Sequence, residues 1–281
     1  MNQLRQLLRY FIYSNLFIAV VALLMVRQTS ILFLKDHIAY DYLNFVFFAS
    51  LCSYNFHYFL TDHSVLPSPR VEWIRKYKLV LLFLFLAGLI GAAWFGWKLR
   101  SYWPWLIPSV VATFLYSAPK IPHQLFRSLR KVAIGKTIFL AFIWMYVTAA
   151  LPLVISGRDW TPSFSIYCLS QFFFVYSICI LFDYRDREDD KAEGVRSLIT
   201  YLSEKNIKRL FFFSFIVAVI TTGSLYFFNV PLKFVILMLI PCFIVAFLYK
   251  TAIRNFSDIF YYFLLDGLMA LSALMMLVAG I

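Results

Sequence analysis

Charge, and above all negative charge, is what this 281-residue chain lacks. It holds fourteen Asp and Glu against twenty-six Lys and Arg, and charged residues make up only 14% of it. Water-soluble domains carry about a quarter of their residues charged. A chain that is 62% hydrophobic, with mean hydropathy +0.78, is not one of them. Cysteine is scarce as well. Cys52, Cys168, Cys179 and Cys242 all lie in apolar runs and form no C-x-x-C pair, which excludes a disulfide framework or a zinc site of that type. Long polar connections and low-complexity tracts are missing, so no separate soluble domain is expected. Nor does a small-residue cleavage site follow Arg5, Arg9 and their apolar run. That run is expected to be a retained helix rather than a removed signal peptide.

What the chain has in abundance is apolar runs of bilayer-crossing length. Nine are counted, at roughly 10–26, 39–60, 79–97, 102–118, 133–155, 163–182, 210–228, 231–249 and 258–280. The expected fold is all-α: a polytopic membrane protein of nine transmembrane helices in a single bundle, one domain over 1–281. The second and sixth spans, four helices apart, both run into polar segments, which hints at a weak internal repeat of helices 1–4 and 5–8. With the N-terminus cytoplasmic, twenty Lys and Arg fall on inner segments. Only Arg27, Lys35, Lys98, Arg100, Arg158 and Lys233 fall on outer ones. Short loops rich in Lys and Arg stay inside, so the basic excess is explained by topology and no nucleic-acid partner is expected. The expected setting is a lipid bilayer, the bacterial inner membrane, with chemistry on the cytoplasmic face.

Six of the fourteen acidic residues crowd into "FDYRDREDDKAEG", 182–194. If the sixth span continues past the membrane surface, Asp183, Asp186 and Asp190 stand at i, i+3 and i+7 on one face. Three carboxylates on one stripe beside lipid repel one another, and a divalent cation removes the penalty. Ligation by oxygen alone, with positions left for water and phosphate, suits Mg²⁺. Arg187, Lys191 and Arg196 are close enough in sequence to hold further anionic oxygens. The alternative is a solvated helix end with mixed i,i+4 contacts.

The run Asp183, Asp186, Asp190, Gly194, Arg196, Ser197, Leu198 resembles the second aspartate motif of the UbiA-type intramembrane prenyltransferases. "LYSAPK" (115–120) is similar to that family's Tyr-Ser-x-Pro segment, and Trp144 and Asp266 fall where the family places such residues. The resemblance implies Mg²⁺-dependent ionisation of a prenyl diphosphate and transfer of the allylic cation to a lipophilic, typically aromatic, acceptor. It also implies a first motif, Asn-x-x-x-Asp-x-x-x-Asp, after the second span. Here Asn55 is present, but Phe59 and His63 stand where the carboxylates belong, and Asp62 is one residue early. At i+7 from Asn55, Asp62 shares its helix face.

Two further groups complete the candidate site. Tyr116, Lys120 and Arg127, in the basic loop 116–131, face either the diphosphate or anionic lipid. Asp266 stands in mid-span, where a carboxylate usually faces the bundle interior. The expected site is therefore Asp183, Asp186 and Asp190 on Mg²⁺, with Asn55, Asp62, Tyr116, Lys120, Arg127, Lys191 and Arg196 on substrate and Asp266 as a further candidate. Loss of both first-motif carboxylates keeps a second reading open: a relative that binds a prenyl diphosphate or lipid without turnover.

Overall fold

In hydrocarbon a backbone N–H or C=O finds no water, so a chain this apolar must satisfy its backbone within helices. The computed structural model describes residues 2–35, 39–61, 68–121, 135–192, 194 and 197–280, and among them there is no strand. The helices are α1 (Asn2–Tyr13), α2 (Leu16–Leu34), α3 (Tyr40–Phe59), α4 (Pro69–Lys76), α5 (Lys78–Lys98) and α6 (Trp103–Ser117). They continue with α7 (Lys136–Ile155), α8 (Pro162–Arg185), α9 (Arg187–Ala192), α10 (Leu198–Tyr201), α11 (Glu204–Phe228), α12 (Leu232–Ala252) and α13 (Phe260–Val278).

Seven of these, α2, α5, α7, α8, α11, α12 and α13, are long and apolar enough to cross a membrane. The other two expected spans fall short for different reasons. Helix α3 has 20 residues but carries Asp41, Asn44, Ser50, Ser53, Asn55 and His57, and α6 has only 15 residues. The first span is also displaced. It was expected to begin near residue 10, but the helix breaks at Asn15, whose φ is 63°, and the membrane-length helix starts at Leu16. Asn tolerates this left-handed conformation better than most residues. The carbonyl freed at Ser14 accepts the Asn55 side-chain amide at 3.2 Å.

Helix α8 is the most enclosed span and α5 the most exposed. Leu79, Phe83, Ile90 and Trp94 of α5 lie bare on the outside, as a lipid-facing surface requires. The inner face of α5 packs on α3 through glycine. A Cβ on Gly88 would lie 2.6 Å from the Cys52 backbone nitrogen, the small-residue contact that lets membrane helices approach closely. Pro162 starts α8 at its first turn, and the helix runs unbroken to Arg185. Asp186 interrupts it for one residue, but its carbonyl accepts the Asp190 N–H at 2.8 Å, so α9 follows on nearly the same course. Gly194, at φ 70°, then turns the chain away, a conformation that costs glycine little.

Short α4 matters more than its eight residues suggest. Ser68 caps it, accepting the Val71 N–H at 3.4 Å, and Pro69 opens its first turn. This start places Arg70, 4% exposed, inside the bundle.

Candidate active site

The helices enclose a cavity of about 1000 Å³ that runs from the α8–α9 junction into the middle of the bundle. Its deep part is apolar and aromatic, with Ile18, Phe45, Phe56, Trp144 and Met269 on the wall. Its mouth is charged: Asp183, Asp186, Asp189 and Asp190 face the same space as Lys120, Lys136, Arg70 and Arg185.

The near continuity of α8 and α9 brings Asp183, Asp186 and Asp190 to one wall, although the one-residue interruption makes it a bent stripe. Each carboxylate has a different environment. Asp183, 5% exposed, accepts the Thr137 hydroxyl in a short hydrogen bond. Asp190, also buried, takes the Lys136 ammonium at 3.1 Å on both oxygens. Asp186 makes no carboxylate hydrogen bond among the described residues. Burial pushes its carboxyl above the ordinary range, Arg185 and Lys136 pull it back in part, and Asp190 adds to the rise. Among the described residues no three His, Cys, Asp or Glu side chains gather closely enough to hold a metal ion as they stand.

Of the other expected site residues, Tyr116 lines the cavity and stacks on His57 at 5.4 Å between ring centres. Lys120 lines it too, donating to Thr61 Oγ1 at 2.6 Å. Asp266 lies on the wall deeper in, after the π-helical turn Phe260–Leu265. Lys191 is set apart: it is exposed and pairs with Glu188 at 2.7 Å, which holds the Glu188 carboxyl below its usual value. Asn55 is fully buried, but behind the wall rather than on it. Its amide donates to the carbonyls of Ser14 and Leu51, and its Oδ1 accepts from Asn15. Asp62, Arg127 and Arg196 lie outside the described residues.

Sequence reasoning missed Lys136, Arg70 and Arg185 at this mouth and Asp258 behind them. Lys136 was counted only toward topology, though a lysine at the first turn of a span can reach an acid one helix away. Arg70 and Arg185 were likewise counted as loop charge. Asp258, 5% exposed, was not singled out. It accepts the Arg70 backbone N–H at 2.9 Å, the Ser68 hydroxyl at 3.3 Å and the Tyr13 hydroxyl at 3.4 Å, and it forms a short ion pair with Arg185. Nothing local in "NFSDIF" announces that role; it comes from three elements far apart in sequence.

The mouth can therefore hold an anion between cations and carboxylates while the apolar interior holds a hydrocarbon. The sequence model of the UbiA prenyltransferase family matches residues 60–265 of the chain. That interval contains the whole acidic stripe and the basic loop, but it begins after Asn55 and stops one residue short of Asp266. No curated protein and no solved structure matches the chain.

Proposed function

Because the chain belongs to the UbiA prenyltransferase family, we propose that it transfers an isoprenyl group from a prenyl diphosphate to a lipophilic, aromatic acceptor within the membrane. One observation carries the reading: a charged mouth bearing the acidic stripe opens into an apolar cavity of about 1000 Å³. The diphosphate sits at the mouth and the prenyl chain lies inward, where burial of each CH₂ contributes about 0.8 kcal/mol. All 281 residues form one membrane domain of nine spans, with α3 and α6 as the two less apolar ones, and the mouth faces the cytoplasm. The Lys and Arg distribution supports that orientation.

The chemistry of the donor set, though not its spacing as it stands, suits a hard, oxygen-liganded cation. Asp183, Asp186 and Asp190 offer carboxylates on one wall, Asp186 without a hydrogen-bond donor of its own among the described residues, and Lys136 already supplies a positive charge to Asp190. Asp183, Asp186 and Asp190 would hold Mg²⁺, which when bound supplies charge neutralisation for the leaving diphosphate. The chain's own residues do the rest. Lys120 and Lys136 hold anionic oxygens at the mouth. Trp144 and Tyr54, whose ring centres are 6.3 Å apart, keep the reacting carbon dry and present π-faces to developing positive charge.

The test supplies purified protein with Mg²⁺, labelled prenyl diphosphates of several chain lengths and aromatic acceptors. Labelled product and released diphosphate are expected; neither appearing from folded protein rejects the catalytic reading. The absence of carboxylates at Phe59 and His63 favours one alternative, a binding protein without turnover. That alternative expects the same ligands to raise thermal stability while no product forms.

A further inference from the structure

Part of the mouth's wall is basic, and its construction is unusual. The Arg70 guanidinium contacts the rings of both Tyr58 and Tyr262, 3.8 Å from each centroid, the rings standing at 87° to each other. Its Nη2 donates to Asn15 Oδ1 at 2.6 Å. The Asn15 amide in turn donates to Asn55 Oδ1 at 3.1 Å, and Asn55 is anchored to two backbone carbonyls. From the other side, Asp258 fixes the Arg70 backbone and pairs with Arg185. Arg185 Cζ is itself 4.7 Å from the Tyr262 ring centre. Asp258 thus meets both arginines, Arg185 through its guanidinium and Arg70 through its backbone N–H only. Arg70 Nε and Arg185 Nη1 have no hydrogen-bond partner among the described residues.

A guanidinium held this rigidly and left short of acceptors is costly unless something else supplies them. Neutral asparagine and tyrosine partners orient it without cancelling its charge, which favours an anion as the missing partner. Both arginines line the cavity mouth that the acidic stripe also lines, Arg185 on the same helix as Asp183. The asparagine at their base is Asn55, the surviving residue of the stretch in which Phe59 and His63 replace two carboxylates.

We infer that Arg70, seconded by Arg185, grips a phosphate of the diphosphate directly and takes over the neutralising work of the missing carboxylate-bound metal. Asn55, Asn15 and Asp258 act as positioning residues that hold the arginines in place. The planar guanidinium offers paired N–H donors matched to phosphate oxygens, and contact with two tyrosine rings that stand at 87° to each other helps hold it in place. The acidic stripe and the arginine wall then hold one diphosphate together, the first through Mg²⁺ and the second without it. The identity of the anion rests on the proposed prenyl-diphosphate reading; the anion site itself does not.

The test therefore measures binding, not turnover. Inorganic pyrophosphate is titrated by calorimetry into detergent-purified protein in excess EDTA, with thermal denaturation as a check on folding. Wild-type protein is expected to bind metal-free pyrophosphate, and R70Q to bind it about tenfold more weakly or worse, the weight of a charge-assisted hydrogen bond. N55A, which touches no ligand, is expected to weaken the same metal-free binding. If R70Q does not fold, R70K decides: lysine keeps the charge but neither the fork nor the planar contact with the tyrosine rings, so its affinity is expected to fall at least about fivefold. Wild-type protein that binds pyrophosphate only with Mg²⁺, or a folded R70Q or R70K that binds as wild type does, overturns the proposal. A parallel titration with dihexanoyl phosphatidylglycerol separates a diphosphate from a lipid headgroup. Weaker binding than pyrophosphate is expected, and tighter binding makes this a headgroup site and rejects the assignment. Failure to form product in the transferase assay leaves these outcomes unaffected, so the two readings fail separately.

Discussion

Replacing Asp258 tests whether the arginine wall is built around one carboxylate. Asp258 is 5% exposed and serves Arg185, the Arg70 backbone, Ser68 and Tyr13 at once. D258A removes the one buried anion that Arg185 is paired with and leaves a guanidinium uncompensated in low dielectric. Breaking a buried pair from one side costs about 3–5 kcal/mol. Loss of the α4 backbone acceptor adds roughly 1 kcal/mol more for a buried N–H left unmade. D258A is thus expected to lose about 4 kcal/mol or more, and D258N less, because its oxygen still accepts the Arg70 N–H. Removing both charges behaves differently, since apolar replacement of a whole buried pair is often neutral or stabilising. The double variant D258A/R185M is expected to recover most of the loss, giving a coupling energy of about 2–3 kcal/mol in a double-mutant cycle of wild type, D258A, R185M and D258A/R185M. Unfolding in mixed micelles with increasing dodecyl sulfate, followed by tryptophan fluorescence in the presence of EDTA, measures all four proteins. If the two single losses simply add in the double variant, Asp258 and Arg185 are not a coupled pair, and the account of the arginine wall loses its foundation.

Three further outcomes follow from the same geometry. K136M strips Asp190 of its ammonium partner, whose side chain is 23% exposed, so a loss of about 1–3 kcal/mol is expected in EDTA; millimolar Mg²⁺ should restore the melting temperature by taking the lysine's place. D186N relieves a carboxyl that burial holds above its ordinary value. A raised acid favours the folded state at low pH and penalises it once pH exceeds both values, so in EDTA the variant should be more stable than wild type at pH 7. That advantage should shrink as pH falls through the raised value and vanish below the unfolded value of about 3.9, as thermal melts across pH will show. G88A puts a methyl 2.6 Å from the Cys52 nitrogen, and backbone cannot yield as a side chain does. A loss of about 1–3 kcal/mol is expected from the same micelle unfolding assay.

The parts of the fold that were legible in the sequence are those that depend on local signals. Apolar length marks α2, α5, α7, α8, α11, α12 and α13, and Pro162 and Gly194 mark where the α8–α9 course starts and stops. The acidic stripe was legible because a helix course broken only at Asp186 carries all three residues at near-helical spacing. Asn15 was not legible: only contact with Asn55, forty residues away, explains why the first span waits until Leu16. Lys136 and Arg70 escaped for a related reason. A basic residue near a membrane surface is accounted for by topology alone, and the rule that assigns it there has no information about what it faces. Lys191, which sequence proximity placed on the substrate, shows the converse, since neighbours along a short helix point in different directions and this one meets Glu188.

The degenerate first motif looks different once its surviving residue is located. If Asn55 were a remnant, its side chain would be free to drift or would be packed by default. Instead its oxygen and both uses of its amide are committed, two of them to backbone carbonyls and one to Asn15. Asn15 sits at φ 63°, a conformation retained only where surrounding contacts determine it, and its oxygen holds Arg70 at 2.6 Å. The chain of contacts runs in one direction, from the place where carboxylates are absent to a cation at the mouth. Restoring a carboxylate at position 59 tests that logic. F59D adds one acid next to Tyr58, whose ring Arg70 contacts, and near Lys78, which lies 4.9 Å from the Phe59 ring centre. If the arginine wall replaces a metal, the new carboxylate competes for Arg70 and should weaken metal-free pyrophosphate binding while increasing the share of binding that depends on Mg²⁺. A variant that gains Mg²⁺-dependent affinity with its metal-free affinity intact would show that the two modes are independent, and that the arginines do not stand in for the metal.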